Sequence, residues 1–212
     1  MSNETADQSG VAWQRRAETG LLKALIETVR EVLLKPESFF QKLRPSNSLA
    51  EPFMFFIIVF LIAFIANQVL NKFILRQGPA AAFTVGYTLG TVGITMVSIF
   101  LWSGWMHLFV RLFGGKGSYQ QTFAILSYAT ATQIVSFIPF LGGWIAGIWN
   151  AYAAIIGYKK IHQLSVGKAC FAYILAFSIL LIGFVGLAGS YLQAMKGMRS
   201  RPADVTSTPL VK

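Results

Sequence analysis

Between Pro52 and Ala203 the chain carries no aspartate and no glutamate. Of its eight acidic residues, Glu4, Asp7, Glu18, Glu27, Glu31, Glu37 and Glu51 come before that stretch and Asp204 after it. Water tolerates carboxylates anywhere on a protein surface, whereas hydrocarbon excludes them. Such a chain is suited to lipid. Phe123 to Tyr158 is stricter still: FAILSYATATQIVSFIPFLGGWIAGIWNAYAAIIGY holds no charge of either sign. It is broken once, at Pro139, Gly142 and Gly143. The pattern predicts two apolar helices folded back on each other at a Pro/Gly turn, with lipid as their solvent. The charged fraction of the whole chain is 12%, about half that of a soluble domain.

The net charge of +10 comes from basic residues that stay in connecting segments. It reads as charge flanking a membrane and argues against a nucleic-acid partner. The single cysteine, Cys170, lies in an apolar run, so no disulfide framework is expected. The start, MSNETADQSG, lacks the basic and apolar regions of a signal peptide.

Residues 1–18 read as a disordered tail and 19–52 as an amphipathic, interfacial region. In the latter, Leu22, Leu25, Ile26, Val29, Val32 and Leu33 share one helical side, and Lys23, Glu27, Arg30 and Glu31 the other. Thr19 is the expected N-cap. Pro36 can open a short helix with Phe39, Phe40 and Leu43 on its apolar side. Ser48 and Glu51 have capping-box spacing ahead of the next apolar run.

Five spans are expected, at about 53–70, 82–112, 122–140, 143–158 and 169–192, followed by a disordered tail over 193–212. The fold class is therefore all-α: a polytopic helix bundle with five transmembrane helices, over 53–192, and an N-terminal amphipathic helix. Gly86, Gly90 and Gly93 on the second span, and Gly183, Gly186 and Gly189 on the fifth, form small-residue faces suited to close helix packing. Trp102, Trp105, Trp144, Trp149, Tyr152 and Tyr158 read as headgroup anchors. With the N-terminus inside, twelve Lys/Arg fall on the cytoplasmic side and six outside, which favours that orientation.

The spans contain no acid, and the two histidines, His107 and His162, sit near opposite ends of the 111–158 block. That inventory is thin for general acid/base catalysis or a closed metal site. No catalytic, cofactor-binding or metal residue is assigned, no cofactor is expected, and the chain reads as a non-enzyme. Glycine-rich GGKGSYQQ, 114–121, lacks the spacing and preceding strand of a phosphate loop. The polar groups in the spans are neutral: Thr91, Thr95, Ser98, Thr130, Thr132, Gln133, Ser136 and Asn150. Gln133 and Asn150 lie at matching depths on either side of the turn, so they are expected to pair or to share a polar neighbour across the hairpin.

Four segments together resemble the Yip1-domain family of integral membrane proteins in its bacterial form. They are VLLKPESFFQKL, HLFVRLFGGKGSYQQTFAILSYA, SFIPFLGG and IWNAYAAIIGYKKIHQLSVGKA, which span most of 20–190. The resemblance implies five membrane helices and a cytoplasmic N-terminus. Eukaryotic members are associated with vesicle traffic and prenylated small GTPases, and carry an Asp-Leu-Tyr-Gly-Pro element. This chain has none, which leaves small-GTPase binding doubtful. The expected function is an adaptor or scaffold for membrane-protein or lipid partners in the bacterial inner membrane, engaging the bilayer and either a membrane-protein partner or a second copy of itself. The alternative is a passive channel or small-solute permeation protein.

Overall fold

A computed structural model describes residues 10–44, 47–70 and 85–199. Among them the chain is helical throughout. A 3-10 turn, Ala12–Arg15, leads into α1 (Arg16–Thr19), α2 (Leu21–Leu34), α3 (Pro36–Lys42), α4 (Ala50–Val69), α5 (Val85–Leu112) and α6 (Tyr119–Ala129). A 3-10 segment, Thr130–Phe137, then α7 (Gly142–Ile161) and α8 (Val166–Arg199) complete the order. Two compact units divide the chain after Tyr173. The second unit is the distal part of α8, an apolar helix in which Ser190 Oγ donates to Gly186 O at 2.9 Å.

Three described helices are long and apolar enough to cross a bilayer: Ala50–Val69, Gly86–Leu112 and Val166–Gln193. The third expected span is not one α-helix. It is α6 followed by the 3-10 segment, and the fourth is α7. The connection expected after the first span, the expected start of the second span (82–84) and the residues beyond 199 lie outside the described residues.

The N-terminal region differs from its expected form. From Ala12 onward, residues assigned to a disordered tail are helical, and Trp13 is wholly buried. Trp13 Nε1 donates to Glu51 O (3.1 Å), Trp13 N donates to Thr28 Oγ1 (3.0 Å), and its ring meets Phe55 edge-on at 5.3 Å. An indole with both its surface and its N–H satisfied is a strong anchor, and it pins the chain start to α2 and α4. Thr19 is not the cap of α2. Its Oγ1 donates to Arg15 O, and Gly20, at φ +83°, makes the break between helices that glycine tolerates. The Ser48–Glu51 box does not form either. Ser48 Oγ accepts from Ala50 N at 3.2 Å, but Glu51 turns to Arg16, with Oε1 3.6 Å from Nη1. A guanidinium attracts a carboxylate more strongly than a backbone N–H does. Pro36 does open α3, and Phe39 and Phe40 are buried under it. At the far end, helix α8 continues to Arg199, through residues expected to be disordered.

The core of the first unit is aromatic. Phe39 and Phe55 both pack on buried Tyr128, at 5.3 and 5.0 Å between ring centroids, while Phe53, Phe100 and Phe123 form a second group. Close backbone contact uses glycines other than the expected ones. A Cβ on Gly157 would lie 2.5 Å from Ile125 Cγ2, and one on Gly142 would lie 2.5 Å from Val135 O. By contrast, among the described residues no atom comes within 4 Å of such a Cβ at Gly86, Gly90, Gly93, Gly183, Gly186 or Gly189. Between the 3-10 segment and α7, Gly142 N donates to Ile138 O at 2.9 Å and Phe140 takes φ +65°. Gly143 follows inside α7 and meets no neighbour.

Candidate functional site

The functional candidates gather where α4 and α6 begin and α7 ends. Three layers build this end of the first unit. The outermost is a clasp: Glu37 on α3 holds Lys159 at 3.0 Å and Lys160 at 2.8 Å on α7. Bonds from Lys160 and then Lys159 lower the Glu37 carboxyl from its ordinary 4.5 to about 2. Trp149 Nε1 adds a bond to Leu33 O at 3.0 Å. The amphipathic region is thereby docked on α7. Tyr158 is fully buried, so it is not the headgroup anchor that composition suggests, whereas Trp149 stays partly exposed.

The second layer is a histidine pair. His107 Nδ1 and His162 Nε2 lie 2.8 and 2.9 Å from the Thr122 hydroxyl, with the two rings 6.0 Å apart. Sequence separation hides this contact, because α5 and α7 happen to end on the same side. The glycine-rich connector closes over His162. Lys116 N donates to His162 O (3.1 Å), Gly115 N donates to Val110 O (2.8 Å), and a Cβ on Gly117 would sit 2.6 Å from His162 Nδ1. That segment ends in a formed capping box: Ser118 Oγ accepts from Gln121 N and Gln121 Oε1 accepts from Ser118 N. The Ser-x-x-Gln spacing ahead of FAIL was the available signal for it.

His162 is wholly buried and its Nδ1 has no hydrogen-bond partner. A bare N–H costs more than a bare lone pair, so the proton is assigned to Nε2, which donates to Thr122. Burial, followed by repulsion from His107 and Arg111, lowers His162 from its ordinary 6.5 to about 4. The imidazole is therefore neutral at physiological pH. No carboxylate joins the pair, and no group of three or more potential metal ligands occurs among the described residues.

The third layer is a chamber of about 420 Å³ next to the pair. Gln121 and Gln163 link it to the pair along the chain, and Gln14, Arg44, Glu51, Tyr128 and Lys160 supply its other polar walls. The Tyr128 hydroxyl and the Glu51 carboxylate are buried against one another, and Arg16 Nη1 lies 3.6 Å from Glu51 Oε1.

Gln133 and Asn150 are half-buried, and among the described residues no hydrogen bond joins them. The polar bridge near the hairpin is instead Asn67 Nδ2 to Ser136 Oγ, 2.9 Å, between α4 and the 3-10 segment. The tighter winding of a 3-10 helix changes which side chains face a neighbour, so depth matching on an α-helical template does not transfer. Other polar groups in the spans satisfy themselves locally: Ser98 Oγ donates to Ile94 O and Thr132 Oγ1 to Ala129 O.

Residues 30–189 match the family model of the Yip1 domain. An uncharacterised protein of the archaeon Methanocaldococcus jannaschii is 32% identical over 112 residues, 50% of this chain and 79% of that relative. No solved structure matches. The family match runs from within α2 into distal α8 and takes in the clasp, the histidine pair, the hairpin and most of the chamber wall, and the chain belongs to the Yip1 domain family.

Proposed function

We propose that the chain is a non-enzymatic, multi-pass membrane protein that acts as an adaptor or scaffold for membrane-protein or lipid partners. The observation that carries this reading is the bare glycine face of α5. Gly86, Gly90 and Gly93 admit a close neighbour and receive none from the described residues. The helix that presents them is long and apolar enough to cross a bilayer. Such faces support association with a helix of a partner or a second copy.

The proposed topology has five crossings, the N-terminus cytoplasmic, in a bacterial inner membrane. Length supports the two unconventional ones. At the usual rises of 1.5 and 2.0 Å per residue, α6 plus the 3-10 segment covers ~32 Å and α7 ~30 Å, the thickness of a hydrocarbon core. The clustering of Lys159, Lys160, Lys116 and Arg111 at one end supports the orientation. Channel function draws less support, because the hydroxyls of Ser98 and Thr132 are turned to their own backbone.

Cross-linking in the native membrane, then mild-detergent purification, tests the adaptor role. A reproducible partner or a self-dimer through α5 is expected. Recovery of the chain alone, with no cross-linked species, would overturn it. A C-terminal reporter active only in the cytoplasm would overturn the five-crossing topology.

A further inference from the structure

We infer that the groove between α2 and α4 holds an acyl chain of an anionic phospholipid, with the phosphate of that lipid at Arg30. The groove encloses about 440 Å³, in the range of small-ligand sites. Leu22, Ile26 and Leu33 of α2 form one wall, and Val59 and Ile62 of α4 with Ile134 of the 3-10 segment form the other. Its lining is aliphatic except for Arg30. The docking of α2 leaves this side open: Leu22 and Ile26 are 68% and 57% exposed. Aliphatic surface left in water costs free energy, and a hydrocarbon chain removes that cost. From Leu22 to Leu33 the wall runs along ~16 Å of helix, an elongated shape that suits an extended chain.

Charge supplies the other part of the ligand. A polar recess of about 330 Å³, lined by Glu27, Glu31, Lys35 and Lys42, adjoins the groove. Arg30 and Leu34 line both cavities, so an apolar and a polar compartment meet across them. That is the division of an amphiphile. The acids of the recess are already engaged, Glu27 with Lys23 at 4.0 Å and Glu31 with Lys42 at 3.9 Å. Arg30 and Lys35 are exposed, and among the described residues neither makes an ion pair. Two uncommitted cations beside the groove suit a phosphate, which a guanidinium can hold with two hydrogen bonds. A choline or ethanolamine headgroup would bring a further cation to Arg30 and Lys35, whereas a glycerol headgroup brings none. The source is a bilayer lipid and not a soluble phosphate, because one wall of the groove is α4, a helix long and apolar enough to cross a bilayer.

A lipid in this groove deepens the adaptor reading and rests on its membrane placement, but uses none of the α5 face. The full chain, purified in a maltoside detergent, is tested in two ways. Native mass spectrometry measures its affinity for phosphatidylglycerol, phosphatidylcholine and glycerol phosphate. In vesicles of phosphatidylcholine and phosphatidylglycerol, a phosphatidylglycerol with a diazirine in its acyl chain is photo-crosslinked and the labelled peptides are mapped. Phosphatidylglycerol is expected to bind at least about tenfold tighter than phosphatidylcholine, the scale of one charged hydrogen bond. The label should fall on α2 and on α4 near Val59 and Ile62. Arg30→Gln with Lys35→Gln should bring phosphatidylglycerol down to the level of phosphatidylcholine. Both side chains are exposed and unpaired, so the melting temperature of this variant should stay at the wild-type value. Equal affinity for the two lipids, an unchanged preference in the double variant, or a label absent from α2 would overturn the inference. Glycerol phosphate binding as tightly as the lipid would also overturn it, as would α2 cross-linked to another polypeptide in place of lipid. Loss of lipid preference with the α5 cross-link intact rejects the groove alone, and a missing α5 cross-link with the lipid preference intact rejects the adaptor role alone.

Discussion

Glycines on two sides of the first unit behave in opposite ways. Gly142 and Gly157 sit against Val135 and Ile125, with no room for a methyl group, and Gly117 sits against His162 in the same manner. Gly86, Gly90 and Gly93 on α5 have their own Cβ positions open. In sequence the second set looks like the packing set, because its spacing places it on one helical face. The first set has no period at all. Close packing inside the unit is thus fixed by single glycines at crossing points. A regular glycine stripe signals only capacity for contact.

Substitution separates the two sets, and the largest effect is expected at the hairpin. In Gly142→Ala the new methyl meets the backbone of Val135 and Ser136, which cannot swing aside. A loss of about 3 kcal/mol or more is expected, read from thermal unfolding in detergent. A change within 0.5 kcal/mol would mean the turn relaxes freely.

Acid should loosen the crowded end by a comparable amount. His162 is held neutral with its affinity for protons lowered from 6.5 to about 4. Below pH 6.5 the unfolded chain takes up a proton that the folded one refuses, so stability falls from there and levels off near pH 4. The difference amounts to roughly 3 kcal/mol. The Glu37 clasp overlaps only the acid end of this window, because its stabilisation is complete well above pH 4.5 and is lost as the pH falls from about 4.5 to about 2. His162→Gln should flatten the slope of melting temperature between pH 6.5 and 4. An unchanged slope would assign the acid sensitivity elsewhere.

At Gly157 the obstacle is a side chain, so a smaller effect is expected. Gly157→Ala should cost about 1–3 kcal/mol. Combined with Ile125→Ala it should show a coupling of at least ~1 kcal/mol, because the second change removes the obstructing methyls. Strict additivity would break the claim that these two residues meet. The smallest effect belongs to the open face. Gly90→Ala should stabilise the isolated chain by up to about 1 kcal/mol through helix propensity. In the native membrane the same change should weaken any cross-link made through α5. Destabilisation of the isolated chain would show that the α5 face is packed after all.

Much of the candidate site was illegible for a geometric reason. Helical periodicity located α2, uncharged apolar runs located α4, α5 and α7, and Pro139, Gly142 and Gly143 marked a turn, since these follow from local chemistry. The pairing of His107 with His162 depends on which helix ends coincide, and the chain between them carries no mark of it. The Gln133–Asn150 pair assumed a regular α-helix before the turn, where the structure has a 3-10 segment. Trp13 shows the same limit: one indole in a polar stretch reads as a tail, yet it fills a pocket between Thr28, Glu51 and Phe55.

By itself the sequence determined that this is an all-helical membrane protein of the Yip1 domain family. Excluding carboxylates from Pro52 to Ala203 is a constraint of solvent, and solvent acts on every residue separately. Tertiary structure alone decided what the N-terminal region does. It docks through Trp13, Phe39 and the Glu37 clasp, and with α4, α6 and α7 it walls a chamber lined by Tyr128 and Glu51. Contacts of that kind join residues 30 to 120 positions apart, and their energy depends on positions that local composition does not encode.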